Sequence, residues 1–281
     1  MTDTIVLEHL PFETDAGISS RARLGLIALA SDYTVEHEFQ LILRHLPGVA
    51  LHVARIPNSP HITPESLAAM EAHLTGTAET LLPGDTLDTI AYGCTSASMV
   101  IGPERVAELV QAAKPGTPVV NPISSALLTF DALGIQRVGV LTPYTADVNA
   151  GIQRFIEAAG YTVPAFASFN EPSDTVVAAI TPDSLRSAVH KLADCTPVDG
   201  IFVSCTSIRL LEQIESLEDE LAMPVTSSNH ALIWQTLRQA GVHDPLADFG
   251  RLFRSAELGI EVARTPKDLG SNLTAKPASN E

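Results

Sequence analysis

Short runs of β-branched and aliphatic residues, each ending on turn-forming residues, alternate along this chain with longer stretches whose apolar positions recur every three to four residues. That alternation is the pattern of strand–helix–strand units on a parallel sheet. It predicts strands over Arg23–Leu29, Val49–Ile56, Thr89–Tyr92, Pro118–Val120, Val138–Leu141, Thr162–Ala167, Gly200–Val203 and Pro224–Thr226, with helices between them.

The pattern occurs twice. Asp88-Thr-Ile-Ala-Tyr-Gly-Cys94-Thr-Ser96 and Asp199-Gly-Ile-Phe-Val-Ser-Cys205-Thr-Ser207 share D-x-I-x-x-x-C-T-S, with the cysteines 111 residues apart. Arg23-Leu-Gly25-Leu-Ile27 and Arg137-Val-Gly139-Val-Leu141 share R-x-G at a separation of 114. Pro118-Val-Val, followed by Ala126-Leu127 and Gly134, parallels Pro224-Val-Thr, followed by Ala231-Leu232 and Gly241. Two matches at nearly one separation, completed by the third pair, indicate a duplicated folding unit. The expected organisation is an N-terminal extension over residues 1–20, a first α/β domain over 21–119 and a second over 120–229. A helix from about His230 to Ala240 is expected to pack back on the first half, which residues 230–264 complete, and 265–281 form a polar tail.

Composition narrows the function. A chain of 281 residues with 45% hydrophobic and 18% charged positions is an ordinary soluble globular protein. Its net charge of −16 repels nucleic acid and anionic membranes, which leaves a small molecule as the expected partner. The sequence shows neither a signal peptide nor a transmembrane run. Three cysteines, at 94, 195 and 205, form no C-x-x-C pair and no zinc spacing, so reduced thiols in the cytoplasm and no metal are expected. The glycine-rich, P-loop, H-E-x-x-H and G-x-S-x-G signatures are missing as well, and no cofactor is indicated.

Candidate chemistry follows from the duplication. In open parallel sheets ligands bind beyond the carboxyl ends of the strands, where both C-T-S motifs fall. Each cysteine is expected at a strand-to-helix turn whose backbone N–H groups, from Cys94, Thr95 and Ser96 and from Cys205, Thr206 and Ser207, suit a carboxylate and favour a thiolate near neutral pH. A single cysteine after an apolar strand is usually a small buried hydrophobe. Two at equivalent positions instead face each other across one cleft. Cys195 lacks such a counterpart and is read as structural. Asp32 and Thr34 after the first strand are read as helix caps, Asn149 as a solvated helix residue, and His37 and His230 as polar helix residues.

With these motifs the chain resembles the aspartate/glutamate racemase superfamily, in its maleate isomerase and arylmalonate decarboxylase branch, over residues 20 to 260. The segments Leu26-Ile-Ala-Leu-Ala-Ser-Asp-Tyr-Thr-Val-Glu36 and Tyr92-Gly-Cys-Thr-Ser-Ala-Ser98 are most similar to the ectoine-utilisation proteins of that branch. The resemblance implies two Rossmann-like domains with four-stranded parallel sheets, related by a pseudo-twofold axis around a cofactor-free site, and a homo-oligomer, dimer or tetramer. It implies catalysis by Cys94 and Cys205. Tyr144 and Asn149 match the P-Y-x-x-x-x-N pattern by which maleate isomerases hold a carboxylate. Asp32 stands where those enzymes carry an asparagine, and an acid there would repel a second carboxylate.

The reading is a two-cysteine racemase or epimerase acting beside a carboxylate of an ectoine-type or amino-acid-derived substrate. Substrate-binding residues would be Asp32, Thr95, Ser96, Tyr144, Asn149, Thr206 and Ser207. The alternatives are cis–trans isomerisation through a covalent cysteine adduct and, from another class, a non-catalytic small-molecule binding protein.

Overall fold

The apolar runs become two separate four-stranded parallel sheets in the structure, a computed structural model that describes residues 5–59 and 61–254. The first contains β1 (Ala22–Leu29), β2 (Val49–Ile56), β3 (Thr89–Gly93) and β4 (Val119–Val120) in the order β2-β1-β3-β4. The second contains β5 (Arg137–Thr142), β6 (Thr162–Ser168), β7 (Gly200–Val203) and β8 (Val225–Ser227) in the order β6-β5-β7-β8. Substituting each strand by its repeat converts one order into the other, as a duplication requires.

The helices of the first half are α1 (Val35–Leu43), α2 (Pro64–Ala69), α3 (Leu74–Glu79), α4 (Thr95–Ile101), α5 (Pro103–Ala113) and α6 (Pro122–Leu133). Those of the second are α7 (Ala146–Ala158), α8 (Asp174–Ala178), α9 (Pro182–Cys195), α10 (Ile214–Leu221), α11 (Ser228–Gln239) and α12 (Arg251–Arg254). Every residue of β3 and β7 is buried, because helices cover both faces of a parallel sheet, and this is why these strands read as unbroken apolar runs. Pro118 and Pro224 fall just outside β4 and β8. Lacking an N–H, each supplies only a carbonyl, to Ile90 at 2.9 Å and to Ile201 at 3.0 Å.

Half of the repeated motif is structural. The Asp88 carboxylate accepts the Arg23 N–H at 2.7 Å, and Asp199 accepts the Arg137 N–H at 2.8 Å, so each aspartate ties the start of one central strand to its neighbour. Gly25 and Gly139 sit opposite the motif's isoleucines. A Cβ on Gly25 would lie 3.0 Å from Ile90, and one on Gly139 would lie 2.7 Å from Ile201. Both strands therefore need the smallest residue there to let the sheet and its helices close.

The two halves exchange their last helices. In α6, Phe130 meets Tyr161 and Phe202 of the second half edge-on, with ring centroids 5.2 and 5.5 Å apart. In return α11, buried from Ser228 to Leu237, lies against β3, β4 and α1 of the first half. Equivalent caps start both helices: Asn121 accepts the Ser124 N–H at 3.0 Å, and Ser227 accepts the His230 N–H at 3.1 Å.

Residues 5–20 run over the surface with Ile5, Leu7 and Phe12 exposed and one 3-10 turn at Gly17–Ser19. Residues 1–4 of the expected extension, 255–264 of the segment expected to complete the first half, and the whole expected tail, 265–281, lie outside the described residues. Among the described residues no helix is long and apolar enough to cross a membrane.

Candidate active site

The carboxyl ends of the two sheets face one another, and the cysteines meet there. Cys94 ends β3 in an extended conformation and caps α4, its carbonyl accepting the Ser98 N–H at 3.1 Å and the Ser98 hydroxyl at 2.6 Å. The Ala97 N–H points at its sulfur. Cys205 differs. Its φ is +153°, a backbone conformation rare for side-chain-bearing residues, and no helix begins at Thr206. The chain runs through a loop to a 3-10 turn at Leu211–Gln213, and α10 starts only at Ile214.

The expected strand-to-helix turn thus exists at Cys94 and not at Cys205. Distant side chains take the backbone groups that a helix would use. The Cys205 N–H donates to Ser228 Oγ at 3.0 Å, and the N–H groups of Leu210 and Leu211 donate to Glu38 Oε1, both at 2.9 Å. The Thr206 carbonyl accepts from Asn229 Nδ2 at 2.8 Å and the Ser207 carbonyl from the Thr34 hydroxyl at 2.9 Å.

Between the thiols lies a cavity of about 20 Å³, room for about one water, lined by Cys94, Ser96, Tyr144, Asp174, Cys205 and Thr206. The Tyr144 side chain is buried beside Cys205 and Ser96 in this wall, where its hydroxyl opposes the upward shift of the Cys205 thiol. Asp174 accepts the hydroxyls of Ser31 at 2.9 Å and Ser207 at 3.2 Å. Behind it, Asp32 Oδ1 accepts the N–H groups of Thr34 and Val35 at 2.6 and 2.8 Å, while Oδ2 is buried without a hydrogen-bond partner. The outer wall is the segment after β2, with Asn58, His61 and Ile62. It pairs with the segment after β6 through an antiparallel bridge between His61 and Ser173 and an Ile62 N–H to Pro172 carbonyl bond of 3.2 Å.

The electrostatics overturn the expectation of a thiolate near neutral pH. Burial pushes the Cys94 thiol up to about 12, and the fields of Asp174 and Asp32 add to the shift against the opposing Ala97 N–H. Burial and Asp174 drive Cys205 higher still, against the opposing Tyr144 hydroxyl and Ser207 N–H. A few oriented N–H groups do not compensate for removal from water beside carboxylates. Burial likewise raises Asp32 to about 6, opposed by its two backbone donors, and raises Asp174. The pocket wall carries neither lysine nor arginine.

Of the residues singled out from the sequence, Cys94, Cys205, Ser96, Tyr144 and Thr206 line the cavity. Thr95 instead donates its hydroxyl to Ser228 at 2.8 Å, Ser207 serves Asp174, and Asp32 both caps the loop before α1 and faces the interior. Asn149 does not line the cavity. Its Oδ1 accepts the Thr142 hydroxyl at 2.5 Å and its Nδ2 donates to the Tyr144 carbonyl at 2.8 Å, so it braces the tyrosine's loop. His37 is exposed on α1, and His230 is fully buried between the Thr226 hydroxyl and the Phe249 carbonyl. Cys195 is exposed at the end of α9.

Sequence reasoning missed Asp174, Asn58, Glu38, Ser228 and Asn229. Asp174 and Asn58 were within reach: they follow β6 and β2, and the rule that ligands gather beyond the carboxyl ends of strands covers those loops too.

Comparison with known proteins gives one consistent picture. The sequence profile of the arylmalonate decarboxylase family matches residues 58–253. A maleate isomerase from Nocardia farcinica (strain IFM 10152) is 30% identical over 242 residues, covering 83% of this chain and 95% of that protein. A solved structure of Nocardia farcinica maleate cis-trans isomerase, a cysteine-to-serine variant with a covalently bound succinylcysteine intermediate, superposes with a TM-score of 0.73 at 26% identity over 83% of this chain and 98% of that one. The fold of a Pseudomonas putida S16 maleate isomerase variant with maleate matches with a TM-score of 0.78 at 24% identity, covering 85% and 99% of the two chains.

Proposed function

Because this chain belongs to the arylmalonate decarboxylase family, we propose that Cys94 and Cys205 make it a cofactor-independent racemase or epimerase acting at the carbon beside a carboxylate. The chain is an enzyme of the isomerase type. The finer reading rests on one observation: the two facing thiols share their pocket with Asp174, with Asp32 behind, and with no lysine or arginine. Such a wall repels a dianion. It suits a substrate with one carboxylate and a positively charged nitrogen, as in amino-acid derivatives and in ectoine, a cyclic amidine.

The resting thiols are neutral chiefly because they are buried, and a cationic nitrogen entering beside Asp174 offsets the part of the upward shift that the carboxylates add. One thiol gives its proton to water as the substrate enters; the thiolate left behind takes the proton from Cα, and the C–H electron pair moves into the substrate carboxylate as an enolate-like dianion. The opposite S–H delivers its proton to the other face, so each turnover leaves the two sulfurs with exchanged protonation. The first-turn N–H groups of Thr95 and Ser96, which no helix carbonyl reaches, are placed to receive the substrate carboxylate and its developing charge.

The test is proton NMR in D₂O with ectoine, acetylated diaminobutyrates, aspartate and maleate, using wild type and Cys94→Ser and Cys205→Ser. Cysteine-dependent deuterium uptake at Cα with changed optical rotation supports the proposal. Maleate converted to fumarate, with no exchange in any amino acid, replaces it by cis–trans isomerisation, the reading that the succinylcysteine intermediate of the Nocardia relative favours.

A further inference from the structure

The loop that carries Cys205 is held by an acid from the other half of the chain. Glu38 lies on α1 and is 2% exposed. Its Oε1 accepts the N–H groups of Leu210 and Leu211, both at 2.9 Å. Its Oε2 accepts Asn229 Nδ2 at 2.8 Å, and the same Nδ2 donates to the Thr206 carbonyl at 2.8 Å. Thr34, just before α1, donates to the Ser207 carbonyl at 2.9 Å. Backbone groups of Thr206, Ser207, Leu210 and Leu211 are therefore fixed, directly or through one amide, by the start of α1. Cys205, with its unusual φ, precedes them.

A buried carboxylate with no cation against it is a costly way to accept hydrogen bonds, and burial raises Glu38 to about 7 even with three donors opposing. An amide would leave the fold at least as stable. What only the carboxylate supplies is acceptors on both oxygens, which leaves Asn229 free to donate to Thr206. A glutamine would turn an NH₂ toward the Asn229 NH₂. If Asn229 rotated to offer its oxygen, the bond to the Thr206 carbonyl would be lost.

We propose that Glu38 is a positioning residue for Cys205: through Leu210, Leu211 and Asn229 it sets the loop that keeps this thiol buried against Tyr144. The inference concerns the thiol itself and is measurable without substrate; only its effect on turnover rests on the function proposed above.

The experiment is alkylation of the full chain by iodoacetamide at pH 7.5, read by peptide mass spectrometry, with exposed Cys195 as internal standard and Cys94 as the control inside the same pocket. Glu38→Gln is expected to melt no lower than wild type and to speed Cys205 alkylation about 10-fold, the equivalent of losing about one hydrogen bond, while Cys94 stays unchanged. Thr34→Val, which removes only the bond to Ser207, is expected to raise Cys205 alone, by a smaller factor. With a turned-over substrate, Glu38→Gln lowers kcat and leaves KM in place. An unchanged Cys205 to Cys195 ratio in Glu38→Gln overturns the proposal. So does equal acceleration at Cys94 and Cys205, because Glu38 would then support the whole fold rather than one loop.

Discussion

The backbone N–H of Cys205 donates to the hydroxyl of Ser228 at 3.0 Å, and that hydroxyl also receives the Thr95 hydroxyl at 2.8 Å. The residues around both cysteines are thus fastened to one serine at the start of α11, the helix that returns from the second half to the first. A residue of neither motif links the two cysteine segments.

Ser228→Ala should cost about 1–3 kcal/mol, the penalty of leaving the buried Cys205 N–H unpaired. Chemical denaturation measures that loss. Turnover should fall as well, since the two sulfurs lose their common reference point. A variant with wild-type stability would mean that the N–H finds another acceptor.

Asp174→Asn removes a negative charge that raises both thiols. Both Cys94 and Cys205 should alkylate faster at a fixed pH, and a cationic substrate should bind more weakly. Combined with Asp32→Asn, the change makes the pocket tolerant of a second carboxylate. Maleate should then raise the thermal midpoint of the double variant and not that of wild type.

Tyr144→Phe deletes the hydroxyl that opposes the upward shift of Cys205. Alkylation of Cys205 should slow by about 5–10-fold, as expected for about 1 kcal/mol of hydrogen bonding to the thiolate, with Cys94 less affected. Acceleration at Cys205 instead would show that the ring is needed chiefly to exclude water.

The buried acids give stability an uncommon pH dependence. Asp32 rises from 3.8 to about 6 and Glu38 from 4.5 to about 7 on folding, both chiefly through burial. Between these limits the folded chain holds protons that the unfolded chain has released. The contribution of each acid to stability is therefore greatest below its unfolded value and declines as pH rises through its folded value. Asp32→Asn and Glu38→Gln should each raise stability by about 3 kcal/mol at pH 8, before any change in hydrogen bonding, and by little at pH 4. Thermal melts of both variants across that range would test this, and equal gains at both ends would refute it.

The amino-acid sequence by itself determined the duplication, the eight strands and the placement of both cysteines beyond strand ends. Those features depend on neighbours along the chain: apolar runs that suit a sheet covered on both sides, prolines that stop a ladder, and aspartates and glycines repeated at separations of 111 and 114. Tertiary structure decided the rest. Ser31 meets Asp174 across 143 residues, Thr95 meets Ser228 across 133, and Glu38 reaches Leu210 and Asn229 across 172 and 191. The same closure replaced an expected helix at Cys205 with a braced loop and turned an expected thiolate into a buried thiol. Whether a sulfur is ionised depends on which carboxylates surround it once water has left, and that is settled only when the two sheets close over the site.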